Sequence, residues 1–249
     1  MSTVGEIKSA INEWAPFDTA EDFDNVGILI GDSFLEVNKC LVCLDVTQAV
    51  CDEAIGQGAE LIISHHPVIL EPLKQISSQS TVYQLIEGGV SVISAHTNLD
   101  KAKNGVNETL IDILNLKNAK PVCDFLYKCE LENMMSATQL AESVKKNLNT
   151  LSVRLYDAGF PIETVAVCSG SGGNFLKDAI DADVDALITG DVKHHVAVEA
   201  LDYGITLIDA GHYETECIIV DKIIDYLTSR FPDVKFTKAE SCKPIFKTV

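Results

Sequence analysis

Short apolar runs alternate with stretches whose apolar positions recur at helical spacing, and that alternation organises most of the chain. The first helical stripe is Val4, Ile7, Ala10, Ile11 and Trp14, ending before Pro16. An acidic turn, Glu21-Asp22-Phe23-Asp24, leads into a short apolar strand closed by Gly31. Strands are expected at 39–46, 61–64 and 90–95, with helices between them at 47–57 and 81–87 that stop at glycines. An amphipathic helix over 104–116 follows.

Regular alternation pauses at 117–121, which reads as a hinge, and resumes with a strand over 125–134. Ser136-Ala137-Thr138-Gln139 has capping-box spacing and starts a helix reaching Asn147. Further strands are expected at 152–156, 164–168, 185–189, 205–208 and 234–237, with a long final helix carrying Ile219, Val220, Ile223, Ile224 and Leu227 on its buried face. The pattern predicts an α/β fold in two domains, 1–122 and 123–249, the last helix of the second returning metal ligands to a shared cleft. The halves are partly similar. The order from Leu61 through His65-His66, a helix, a strand and His96 repeats from Leu187 through His194-His195, a helix, a strand and His212.

Composition narrows the class. With 249 residues, 47% hydrophobic and 22% charged, the chain has the make-up of a folded globular protein. A formal net charge of -18 disfavours nucleic acid as a partner, because phosphate backbones are held by lysine and arginine. The first residues carry no targeting pattern, and no apolar run approaches the roughly 18 residues of a membrane span. A soluble, cytoplasmic protein with no membrane partner is expected. Of eight cysteines, Cys40, Cys43, Cys168 and Cys217 lie in apolar strand or helix patterns, which suits reduced, packed thiols. Cys40-Leu41-Val42-Cys43 has a zinc-like spacing, yet strand residues three apart face opposite sides, so the pair reads as core.

The candidate chemistry lies in the histidines. All six, His65, His66, His96, His194, His195 and His212, are placed by the pattern just beyond the end of an apolar strand, where α/β sheets gather ligands. His65 and His66 are adjacent and followed by Pro67, a pair with little packing value. His212 and Glu216 are four apart and share a face once a helix has begun, and Asp100 offers a second carboxylate. The set His65, His66, Asp100, His212 and Glu216 mixes nitrogen and oxygen donors without thiolate, suiting two divalent ions of iron, manganese or zinc. Ser169-Gly170-Ser171-Gly172-Gly173-Asn174 reads equally as a plain turn or as a wall of the site.

Five ordered motifs also carry a resemblance. They are 20–31, Ser64-His65-His66-Pro67 with Lys74 after it, His96-Thr97-Asn98-Leu99-Asp100, Thr189-Gly190-Asp191-Val192-Lys193-His194-His195, and Gly211-His212-Tyr213-Glu214-Thr215-Glu216. Together they resemble the GTP cyclohydrolase I type 2 homologues, also called Ngg-interacting-factor-like proteins. The resemblance implies two interlinked α/β domains with mixed sheets, a dinuclear metal cleft with the same five ligands, and a hexameric ring. It places His96 and His195 along the pocket as acid/base candidates. Phe23 stands where that family often has tryptophan, a change of bulk that leaves the ligands untouched. The implied activity is metal-dependent hydrolysis of a small molecule, with a nucleotide such as GTP suggested by the family name. The alternative is a non-enzymatic metal-binding or regulatory ring.

Overall fold

The computed structural model describes residues 1–246, which form two compact units. The first holds Met1–Lys103 and Ile219–Lys243, and the second holds Asn104–Ile218.

In the first unit, β1 (Ser2–Thr3) leads into α1 (Val4–Trp14), which is started by a reciprocal capping box between Thr3 and Glu6. After β2 (Gly27–Ile30) and β3 (Glu36–Val37) come β4 (Lys39–Cys43), α2 (Gln48–Gln57), β5 (Leu61–Ser64), α3 (Thr81–Glu87), β6 (Ser91–Ser94) and α4 (Thr97–Lys101). Thr47 caps α2 by accepting from the Val50 amide, and Gly58, at φ +64°, ends it in the left-handed region that glycine tolerates best. β4, β5 and β6 are parallel neighbours, with Cys43, Ser64 and Ser94 in register, and β2 pairs antiparallel with β6. Every residue of β5 and β6 is buried. Parallel strands covered on both faces are written as continuous apolar runs, so 61–64 and 90–95 show no alternation.

Cys40 and Cys43 lie in this core, and burial pushes both thiols well above their ordinary range. The cysteines are all free. Iodoacetamide on the native protein near pH 8 is expected to label the half-buried Cys123 and Cys217 first and to reach Cys40 and Cys43 only on unfolding. Peptide mass mapping over time checks this; early labelling of Cys40 would contradict it.

The second unit contains α5 (Val106–Ile113), β7 (Lys117–Pro121), β8 (Tyr127–Met135), α6 (Ala137–Asn147), β9 (Arg154–Tyr156), β10 (Ile162–Val167), α7 (Leu176–Asp181), β11 (Ala186–Thr189), α8 (His194–Tyr203), β12 (Thr206–Asp209) and α9 (His212–Glu216). Its mixed sheet has the order β7-β8-β10-β11-β12-β9, with β10, β11 and β12 parallel. Alternate residues serve opposite layers. Val165, Val167, Ile188 and Ile208 pack with Leu110, Leu140 and Val144 from α5 and α6. Ala166, Leu187 and Leu207 pack with Leu176, Val196 and Ala200 from α7 and α8.

The chain then returns to the first unit as α10 (Ile219–Thr228) and β13 (Lys235–Lys238), the latter parallel to β4. This division differs from 1–122 and 123–249. Leu110 and Ile111 of α5 are buried in the second unit's core, so the chain crosses over before α5, and the final long helix belongs with the N-terminal sheet. Residues 247–249 lie outside the described residues. The expected hinge at 117–121 is instead β7, paired antiparallel with β8. All five of its residues are exposed, so an edge strand rich in lysine and ending in proline carries no apolar pattern to announce it. No helix among the described residues is long and apolar enough to cross a membrane.

Candidate metal centre

In the first unit the carboxyl ends of β4, β5 and β6 deliver Asp45, His65-His66 and His96 to one place. The amides of His65 and His66 donate to Cys43 O and Leu44 O, extending the ladder past β5 and fixing both backbones. His65 is fully buried and its Nδ1 lies 2.9 Å from Ala95 O. His66 Nδ1 lies 2.7 Å from Asp45 Oδ1, and His96 Nδ1 lies 2.9 Å from Asp24 Oδ1. Carbonyl and carboxylate oxygens only accept, so each Nδ1 donates, and in the neutral ring Nε2 keeps the lone pair. One ring nitrogen from each of His65, His66 and His96 falls within 4.8 Å of the others. Asp100, buried in α4, places Oδ1 3.5 Å from His65 Nε2.

The second unit repeats this construction with different residues. The turns after β10, β11 and β12 carry Gly170, Gly190-Asp191 and Gly211-His212. His212 Nδ1 lies 2.8 Å from Asp191 Oδ2, and its Nε2 stands 2.9 Å from Oε2 of the buried Glu216. These turns close on one another only because they are glycines. A Cβ on Gly190 would come within 2.6 Å of His212 N and 2.7 Å of Gly170 O. Gly170, at φ +59°, lies against the Glu216 carboxylate: its missing Cβ would stand 2.9 Å from Glu216 Cδ and 3.4 Å from His212 Nε2. Hydrogen bonds from Gly170 N to Thr215 Oγ1 (3.0 Å) and from Gly190 N to Gly170 O (2.7 Å) hold that approach. Within the 169–174 loop, Gly170 therefore lies against the His212–Glu216 pair.

A family model described as Duf34/NIF3 (NGG1p interacting factor 3) matches residues 2–244. The chain belongs to the Duf34/NIF3 family. It is 35% identical to a GTP cyclohydrolase 1 type 2 homolog of Clostridium acetobutylicum, covering 86% of this chain and 85% of that relative. A Clostridium perfringens protein of the same name is 30% identical over 99% of both chains. Among solved structures, a Bacillus cereus protein related to NIF3 matches with a TM-score of 0.94 at 22% identity, covering 100% of this chain and 99% of that one, a likeness of fold. A Staphylococcus aureus protein matches with a TM-score of 0.91 at 26% identity over 99% of both. The resemblance carried by the five motifs is thus borne out, and so is the mixed α/β architecture.

Within this Duf34/NIF3 chain, four of the six histidines occupy strand ends. His194 and His195 do not: both sit exposed in the first turn of α8, five and six residues beyond β11. The place after β11 that corresponds to His65-His66 is taken by Gly190-Asp191, so the sequence repeat is real in topology but not in ligands. His212 and Glu216 occupy their own short helix, α9, separate from α10. The pattern did not single out Asp24, Asp45 and Asp191 as partners of the histidines. Their signal was position alone, since Asp45 and Asp191 each follow a strand end.

Proposed function

We propose that this Duf34/NIF3 protein binds two divalent cations through His65, His66, Asp100, His212 and Glu216 and acts as a metal-dependent hydrolase on a nucleotide or other phosphoester. The observation that carries the reading is the convergence of imidazole nitrogens and carboxylate oxygens at the separation of ligands sharing one ion. His212 Nε2 and Glu216 Oε2 stand 2.9 Å apart, and His65 Nε2 and Asp100 Oδ1 3.5 Å apart, while the other nitrogen of each ring already donates. Two lone pairs at that distance repel unless a cation or proton lies between them. Donors about 2.0–2.2 Å from one ion stand roughly 3–3.5 Å from each other. The donor set contains no thiolate, and the Gly170 cradle leaves room for the Glu216 carboxylate where a side chain would displace it. Both features fit a hard or borderline divalent ion.

Bound ions would supply Lewis acidity toward a substrate oxygen and would acidify water. The chain's own residues set the rest. Asp45, Asp191 and Ala95 O hold the ligating rings in one tautomer, the outer support on which metal affinity depends. His96, whose ring is oriented by Asp24 and lies beside those of His65 and His66, is the first proton-transfer candidate. His195, exposed on α8, is the second proton-transfer candidate. The relatives' name brings nucleotides first into the substrate panel, and a cytoplasmic hexameric ring belongs to the same reading.

The test loads metal-stripped protein with iron, manganese or zinc and offers GTP and a panel of phosphoesters. Turnover is expected, and His65→Ala is expected to lower it at least about 100-fold, beyond the ~10–100-fold cost of losing an outer hydrogen-bond partner. Turnover that survives His65→Ala would sink the reading. Tight metal binding without turnover on any substrate would favour the metal-carrying or regulatory alternative.

A further inference from the structure

A crevice of about 190 Å³ opens in the second unit between β9 and α8, bordered by Arg154, Tyr156, Val192, His194, Ala197 and Asp209. Asp209, only 7% exposed, accepts from Val192 N (3.0 Å), from Gly211 N (3.1 Å) and from Arg154 Nη2. Arg154 Nη2 also donates to Val192 O at 3.0 Å. One corner of the guanidinium is thus fixed, while the side chain as a whole is 72% exposed and its other donors remain for a ligand. His194 is the first residue of α8, a helix whose opening amides receive no side-chain cap, so the partial positive charge of a helix start reaches the same crevice.

We propose that this crevice binds an oxyanion, a phosphate or carboxylate carried on a short ring or apolar body, with Arg154 as the recognising residue. A planar guanidinium fork matches two oxygens of such a group, and Asp209 acts as a positioning residue that holds the fork in place. The Asp209 carboxylate accepts from three donors, two of them backbone amides, and the guanidinium edge turned away from it keeps its N–H donors. Tyr156, Ala197 and Leu207 give the ligand body apolar walls. The volume lies below the ~300 Å³ at which drug-sized pockets begin, which suits a group smaller than a whole nucleotide. None of this depends on a metal.

The experiment uses the full-length, metal-stripped, 15N-labelled chain, titrated with phenyl phosphate or with benzoate at constant ionic strength set by sodium chloride. Saturable shifts are expected at the Val192 and His194 amides and at Arg154 Nε–H, with one probe bound more tightly and so naming the oxyanion. Arg154→Ala is expected to weaken binding at least tenfold, and Arg154→Lys, which leaves Asp209 a cationic partner but removes the fork, by a smaller factor. No saturable shift with either probe overturns the proposal. Wild-type affinity in Arg154→Lys or in a folded Arg154→Ala protein overturns it equally.

Discussion

Gly170→Ala is expected to remove most of the metal affinity proposed above while leaving the protein folded. Glu216 is 5% exposed, so its carboxylate has little space into which to retreat. A methyl group at residue 170 would meet the carboxylate directly, with Cδ at 2.9 Å and His212 Nε2 at 3.4 Å. The backbone at φ +59° adds only about 1–2 kcal/mol of strain for an alanine, a fraction of the ~5–15 kcal/mol that holds a typical protein together. A displaced ligand costs more than a lost outer partner, so the fall in affinity should exceed about 100-fold. Gly173→Ala is the matched control. Its Cβ would meet only Val196 methyl carbons at 3.6 and 3.7 Å, ordinary contacts, and it should titrate like the parent. Calorimetric titration of stripped protein with zinc or manganese, alongside thermal melts, separates the two effects. A Gly170→Ala protein that binds metal as tightly as Gly173→Ala would remove Glu216 from the ligand set.

That prediction rests on a residue whose role the sequence left open, and the reason shows what kind of information was legible. The strand cores could be read because burial on both faces writes a continuous apolar run, as in Leu61-Ile62-Ile63, and the residue after such a run is placed at the sheet's carboxyl end. His65, His66, His96 and His212 were found that way. Local spacing also revealed the capping box at Ser136 and Gln139, since both of its hydrogen bonds close within one turn. What could not be read was direction. Glu21, Asp22 and Asp24 form one acidic turn in the sequence, yet only Asp24 turns its side chain fully inward, toward His96 and Thr97, 72 and 73 residues away. Nothing local distinguishes it from its neighbours. The same holds for Asp45 and Asp191, whose partners lie 21 residues along the chain. The division into units was hidden for a related reason: α10 is amphipathic wherever it packs, and periodicity does not say which sheet it covers.

Asp24→Ala is expected to destabilise the first unit by about 2–3 kcal/mol, because it leaves several part-buried donors without their acceptor. The Asp24 carboxylate accepts from His96 Nδ1 (2.9 Å), Thr97 N (3.0 Å), Thr97 Oγ1 (2.5 Å) and Asn25 N (2.8 Å). Burial alone would raise its pKa, but the hydrogen bonds from His96 and Thr97, with the His96 charge, outweigh it and hold the group well below the ordinary 3.8. A carboxyl depressed in the folded state binds its proton more readily when unfolded. Its charged form therefore adds stability that is complete above the unfolded value near 3.8 and drains away as pH falls through that value toward the folded one. Urea unfolding of the metal-stripped chain at pH 7, 5, 4 and 3 should show the gap between parent and Asp24→Ala constant from pH 7 to 5 and narrowing below pH 4. Asp24→Asn, which keeps one acceptor oxygen but no charge, should lie between them at pH 7 and lose less on acidification than the parent. If the gap stays constant down to pH 3, the Asp24 carboxyl is not depressed in the folded state, and its hold on the His96 tautomer would have to come from geometry alone.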